Sequence, residues 1–233
     1  MNRPAFPGLL FDKDGTLFDY QKSWGGFTLR FIEDLAGDDA GLALRLADTM
    51  GIDPVTGRFS PESAIVAGTP AEVVEPLVPL LPGWTFEALT ARINAAASEA
   101  PQVPAADLGA LFDQLRGAGH VLGIATNDAE VAARAHLKAA GVAAHFTFLA
   151  GYDSGHGAKP APNMCRAFAA EVGLAPAQCV MVGDSLHDMM AGRAAGMTCV
   201  AVCTGITPAK DLAPQADAVL PHIGHLPAWL AAR

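Results

Sequence analysis

The stretch Phe11-Asp12-Lys13-Asp14-Gly15-Thr16-Leu17 places two carboxylates two residues apart, directly after the apolar pair Leu9-Leu10. An apolar run that meets acid and then glycine reads as a buried strand entering a turn. Asp12 and Asp14 would repel each other there unless a cation or a shared proton balanced them. A phosphate-handling site with a magnesium ion accounts for the pair. Further polar residues follow later apolar runs: Thr126-Asn127-Asp128, Lys159-Pro160, and Gly183-Asp184-Ser185 with Asp188 beyond. Phosphoryl transfer to water needs a nucleophile, a group that gives and then takes a proton, and positive charge on the transferring group. Asp12 suits the nucleophile and Asp14 the acid and base. Thr126 and Lys159 suit the phosphate oxygens, and Asn127 can add a backbone amide to that set. Asp184 suits the metal. Asp188 suits a direct or outer role at the metal, or an ion pair with Lys159.

These residues converge only if parallel strands deliver them to one edge of a sheet, where ligands of open α/β sheets bind. The chain supplies such strands. Val121 to Thr126, Phe146 to Ala150, Cys179 to Val182, Thr198 to Val202 and Ala218 to Leu220 are short apolar runs separated by helical patterns. Asp128 is placed to cap a helix running to Ala140, and Pro160 to open one running to about Val172. Leu186 to Ala195 reads as a helix closed by Gly196. Alternation of this kind predicts crossover units in a parallel sheet. Residues 20–103 differ: they show helical periodicity without a convincing strand. Phe27, Phe31 and Leu35 share one face, as do Val73, Leu77 and Leu80, and Trp84 to Ala97 reads as another helix. The expected architecture is α/β: a Rossmann-like parallel sheet core of residues 1–19 and 104–233, with a helical cap domain of residues 20–103 inserted after the first strand. Pro101-Gln102-Val103-Pro104 is the expected hinge.

Composition limits the alternatives. The 233 residues are 51% hydrophobic and 17% charged, which indicates a globular chain. A net charge of -9 argues against a general nucleic-acid binder. The start has neither a signal-peptide pattern nor a membrane span. Cys165, Cys179, Cys199 and Cys203 lack zinc-site spacing, so a cytoplasmic setting is the default. His156, between two glycines, and His187 read as surface or outer residues. Lys22, Arg30 and Arg58 are candidates for a distal anion of a substrate, against the ordinary reading of a solvated face. Trp24 and Phe27 read as cap packing.

Taken in order, these motifs resemble those of the haloacid dehalogenase-like hydrolases, in the phosphatase branch with a helical cap, and among these the phosphoglycolate phosphatase-like members. Asp12 to Leu17 matches the first motif, Thr126 the second, Lys159-Pro160 the third, and Gly183 to Asp188 the fourth. The resemblance implies Mg2+ held by the Asp12 side chain, the Asp14 backbone carbonyl and the Asp184 carboxylate. An acid at Asp14 implies phosphate esters rather than dehalogenation or phosphonate cleavage, with its pKa raised so that it can donate a proton. The implied activity is hydrolysis of a small phosphorylated metabolite through an aspartyl-phosphate. A sugar phosphomutase of the beta-phosphoglucomutase type and a non-catalytic binding protein on the same fold are the alternatives. One departure stands out: Asp19-Tyr20 occupies the place where phosphoglycolate phosphatase-like members often carry Asp-Ser.

Overall fold

The computed structural model describes residues 4–61, 63, 65–66 and 68–233. In chain order its elements are β1 (Gly8–Phe11), α1 (Tyr20–Ala36), α2 (Ala40–Thr49), α3 (Pro70–Val74), α4 (Phe86–Ser98), α5 (Leu108–Gly117), β2 (Val121–Ala125), α6 (Glu130–Ala139) and β3 (Phe146–Ala150). There follow α7 (Asn163–Glu171), β4 (Cys179–Gly183), α8 (Leu186–Ala195), β5 (Thr198–Val202), α9 (Ala209–Leu212), β6 (Ala218–Leu220) and α10 (Leu226–Ala231). The six strands form one parallel sheet in the order β3-β2-β1-β4-β5-β6. This is the expected α/β arrangement.

Alternation along β1 explains the layering. Leu9 and Phe11 pack with Leu111, Phe112 and Leu115 of α5 and Leu137 of α6. Leu10, between them, packs with Met164, Cys165 and Phe168 of α7 and Ala191 of α8. Side chains one apart on a strand point to opposite faces, so this four-residue apolar run has helices on both sides. The chain fills one side of β1 with β2 and β3, then returns to fill the other with β4, β5 and β6. The switch point therefore lies between β1 and β4, where a crevice opens at the carboxyl ends of the strands.

Residues 20–98 contribute helices to the described chain and no strand of the sheet. They have an apolar cluster of their own, including Ile32, Leu46, Val74, Leu77 and Leu89. The chain leaves and rejoins the sheet region through a narrow neck. Phe18 bridges Pro104, the Asp19 amide donates to the Val103 carbonyl at 2.8 Å, and the Ala105 amide donates to the Leu17 carbonyl at 2.9 Å.

Two boundaries differ from expectation. The helix expected from Pro160 begins at Asn163, because residues 160–162 are used in the turn that presents Lys159. The Val73 to Leu80 pattern splits into α3 and a short 3-10 turn at Val78–Leu80, with Pro76 and Pro79 interrupting the backbone bonding of a continuous helix. Among the described residues, no helix is long and apolar enough to cross a membrane.

Candidate active site

Asp12 follows the last residue of β1, Thr126 the last of β2 and Asp184 the last of β4. Phe11 stands in register with Ile124 and Val182, so all three side chains leave the sheet at one edge. Lys159 arrives from the loop after β3. Its ammonium lies 2.5 Å from Asp12 Oδ1 and 2.6 Å from Asp188 Oδ1. The Asn127 side chain grips the Lys159 peptide twice: its Nδ2 donates to the carbonyl at 2.9 Å, and its Oδ1 accepts from the amide at 2.8 Å. Asn127 thus positions the lysine with its side chain. Thr126 is buried, and its Oγ1 accepts from the Asp128 amide at 3.1 Å, which leaves the hydroxyl proton to be donated.

The fourth motif is shaped by a helix cap. Ser185 caps α8, its hydroxyl donates to Asp188 Oδ2 at 2.6 Å, and Asp188 returns to accept the Ser185 amide at 3.0 Å. This reciprocal box turns the other Asp188 oxygen toward Lys159. Asp184 accepts from the Thr16 hydroxyl at 3.0 Å. Its carboxylate fits closely between two glycines: a Cβ on Gly15 or on Gly205 would collide with it. At Gly15 a φ of +78° adds a second reason for glycine.

Asp12, Asp184 and Asp188 each offer a carboxylate oxygen within 4.8 Å of the others, and all three residues are buried. Lys159 is paired with two of the three. An all-oxygen donor set with excess negative charge suits a hard divalent cation such as Mg2+. The carboxyl pKa values express the crowding. Burial lifts Asp12 to about 7, with Asp188 and Asp14 adding to the rise and Lys159 opposing it. Burial, then Asp12 and Asp188, hold Asp184 well above the usual carboxylate range. Burial would lower Lys159, but Asp12 and Asp188 outweigh it and push the ammonium pKa up.

Asp14 departs from the expected raised pKa. Burial alone would raise it, but the Lys13 ammonium brings it below the usual value. Lys13 is fully buried, 2.6 Å from Asp14 and 3.1 Å from Asp128. His136 Nδ1 faces the same ammonium at 3.0 Å, and its Nε2 lies 2.8 Å from the Ala97 carbonyl of α4. Those partners assign the proton to Nε2, in keeping with an imidazole pKa lowered to about 4 by burial and by Lys13. Trp24 of α1 completes the setting, its indole N–H donating to Asp14 Oδ1 at 2.9 Å.

None of these contacts was foreseen. The available signal was a lysine between two acids in a buried motif, which must be paired. Asp128, expected as a helix cap, accepts from the adjacent Ala129 amide and turns its other oxygen to Lys13. The first helical amide, of Glu130, is instead taken by Asp153.

Two predictions arise here. Lys13→Met leaves Asp14 and Asp128 buried without their cation, and should cost about 3–5 kcal/mol in urea unfolding. Trp24→Phe keeps an aromatic ring but removes the N–H. A charge-assisted bond is worth about 1.5–3 kcal/mol and favours ionised Asp14, so its loss should raise the Asp14 pKa and move the pH profile of kcat/KM on an aryl phosphate upward.

The helices of residues 20–98 form the roof of the site. Together with Asp12, Asp14, Thr126, Lys159 and Asp184 they line a half-open cavity of about 130 Å³. Trp24 and Phe27 line it while packing edge to face on each other, so they face the ligand space as well as the cap interior. His187 lines the core rim. His156 is half-buried against Phe148 and does not line the cavity. Lys22, Arg30 and Arg58 are exposed and also lie outside the lining.

Residues 6–196 match the family model of a haloacid dehalogenase-like hydrolase. The chain belongs to this family. It is therefore an enzyme of the hydrolase class, as the motifs imply. It is 30% identical to a phosphoglycolate phosphatase of Xylella fastidiosa (strain 9a5c) over 241 residues, covering 96% of this chain and 95% of the relative. It is 35% identical to pyrophosphatase PpaX of Bacillus velezensis over 101 residues, 43% of this chain and 47% of that one. The fold superposes on the crystal structure of CbbY from Rhodobacter sphaeroides in complex with phosphate with a TM-score of 0.69 and 21% identity, covering 95% and 96% of the two chains.

Proposed function

We propose that this member of the family is a magnesium-dependent phosphatase that hydrolyses a small phosphomonoester through an aspartyl-phosphate on Asp12. The observation that carries the reading is the convergence of Asp12, Lys159, Asp184 and Asp188 at the switch point. Residues 20–103 act as the cap, and the neck at Phe18 and Pro104 joins it to the core.

In this reading an Asp12 carboxylate oxygen attacks phosphorus, and the P–O bond to the leaving alcohol breaks as the acyl-phosphate forms. Asp14 passes a proton to the departing alkoxide. Lys13 holds the Asp14 pKa low in the resting site, so this proton has to enter with the monoanionic form of the phosphomonoester or from solvent as substrate binds. Water then attacks the acyl-phosphate, Asp14 receives its proton, and inorganic phosphate leaves. Thr126 donates to a phosphoryl oxygen, and Lys159 shields the charge brought to Asp12. Asp12, Asp184 and the Asp14 carbonyl would hold Mg2+, with Asp188 beside it, and the ion would offset charge on the transferring phosphoryl group. The cap excludes bulk water from the acyl-phosphate. A cytoplasmic setting belongs to the same reading, supported by four cysteines that form no disulfide.

A panel of phosphoglycolate, hexose phosphates, glycerol phosphate and nucleotides, assayed for free phosphate with and without a chelator, tests the proposal. Phosphoglycolate is the first substrate to assay, given the relatives. Metal-dependent release supports the reading. An isomerised sugar phosphate without net release would make the protein a mutase, and inertness toward every ester would make it a binding protein.

A further inference from the structure

We infer that the organic part of the substrate is apolar and carries no second anion: an alkyl or small aromatic phosphomonoester, not a phosphorylated carboxylic acid. This rests on the phosphatase reading and names the substrate class of the same site. Every side chain that residues 20–103 contribute to the described cavity lining is uncharged. Phe27, Phe31, Met50, Ile65, Val73 and Ile93 are the larger apolar side chains of that wall. The polar ends there are the Trp24 N–H, bonded to Asp14, the Tyr20 hydroxyl, bonded to the Ile65 carbonyl, and the Thr28 hydroxyl. Two basic residues of the same helices pair with acids outside the lining. Lys22 pairs with Asp19 at 2.7 Å with two-thirds of its side chain in solvent, and Arg92 pairs with Asp34 at 3.6 Å.

The lining groups able to carry positive charge are Lys159 and His187, both from the core rim. Lys159 is already committed to Asp12 and Asp188. A distal carboxylate under these helices would have to leave water for an apolar wall that offers it no cation.

Isobutyl phosphate and phosphoglycolate separate the possibilities, because an isopropyl group and a carboxylate have nearly the same shape. With p-nitrophenyl phosphate as the control for chemistry, kcat/KM for isobutyl phosphate should exceed that for phosphoglycolate by at least tenfold. Along methyl, ethyl and propyl phosphate it should rise about fourfold per methylene. Placing a cation in the wall with Ile93→Lys should move the isobutyl-to-glycolate ratio at least tenfold toward phosphoglycolate, in protein shown to be folded by circular dichroism. A wild-type preference for phosphoglycolate, or equal rates, overturns the inference and leaves the phosphatase reading standing. No turnover of any ester, the aryl control included, overturns both. Should the variant not fold, the wild-type series decides alone.

Discussion

Asp12→Asn is expected to lower kcat by at least about 10⁴-fold without unfolding the protein. The amide is isosteric with the carboxylate but is not a nucleophile toward phosphorus, so no acyl-phosphate forms. Stability should hold or rise, which is unusual for a buried polar substitution. The wild-type site sets Asp12 beside Asp184 and Asp188 with Lys159 as the ammonium among them. Burial and those neighbours raise the Asp12 pKa to about 7, so its charged form is disfavoured in the fold. A neutral amide removes one member of the repelling set and can still accept from Lys159. Single-turnover phosphate release, paired with thermal melts in chelator, checks both halves. Activity within tenfold of wild type would reassign the nucleophile.

The second large effect is the response to magnesium and pH. Chelation should reduce turnover by about 10³-fold or more, since a metal supplies several kcal/mol of charge stabilisation in the transition state. The same ion should stabilise the fold, by about 2.7 kcal/mol at a hundredfold excess over its dissociation constant. The sign of the pH dependence follows from the raised carboxyls. Asp12 and Asp184 have folded pKa values above the unfolded carboxylate value. Over that interval the native state binds more protons than the unfolded chain, so stability without metal falls as pH rises. For Asp12 the window runs from about 4, the unfolded value, to about 7. Magnesium requires the ionised groups, so its increment in Tm should grow across the same window. Melts in magnesium and in chelator at several pH values measure this. An increment independent of pH would place the ion elsewhere.

Legibility from sequence tracked how local the determining contacts were. Asp12, Thr126 and Asp184 could be brought together on paper because each ends an apolar strand, and parallel strands deliver their ends to one edge. The closure of α8 at Gly196 lay within one helix. Lys13 was not legible in the same way. Its partners Asp128 and His136 lie more than a hundred residues away, on a loop and on α6. Trp24 read as packing because helical periodicity reports the buried face of α1, not that the face looks down onto Asp14. The basic residues of the cap were ambiguous for a related reason. Periodicity separates the wet side of a helix from the dry side, and only the docked helices show that the dry side also roofs the ligand space.

The hydrogen bonds between Asp19 and Val103 and between Leu17 and Ala105 hold the two crossings of the chain side by side. Everything between them is, in chain connectivity, a closed loop whose two ends meet at this neck. Doubling the length of such a loop costs only about 0.6 kcal/mol of closure entropy. Exchange of these helices would still have to keep a donor to Asp14 at the place of Trp24 and an acceptor for His136 at the place of the Ala97 carbonyl. A chimera exchanged at these two crossings is the natural unit for re-engineering the enzyme.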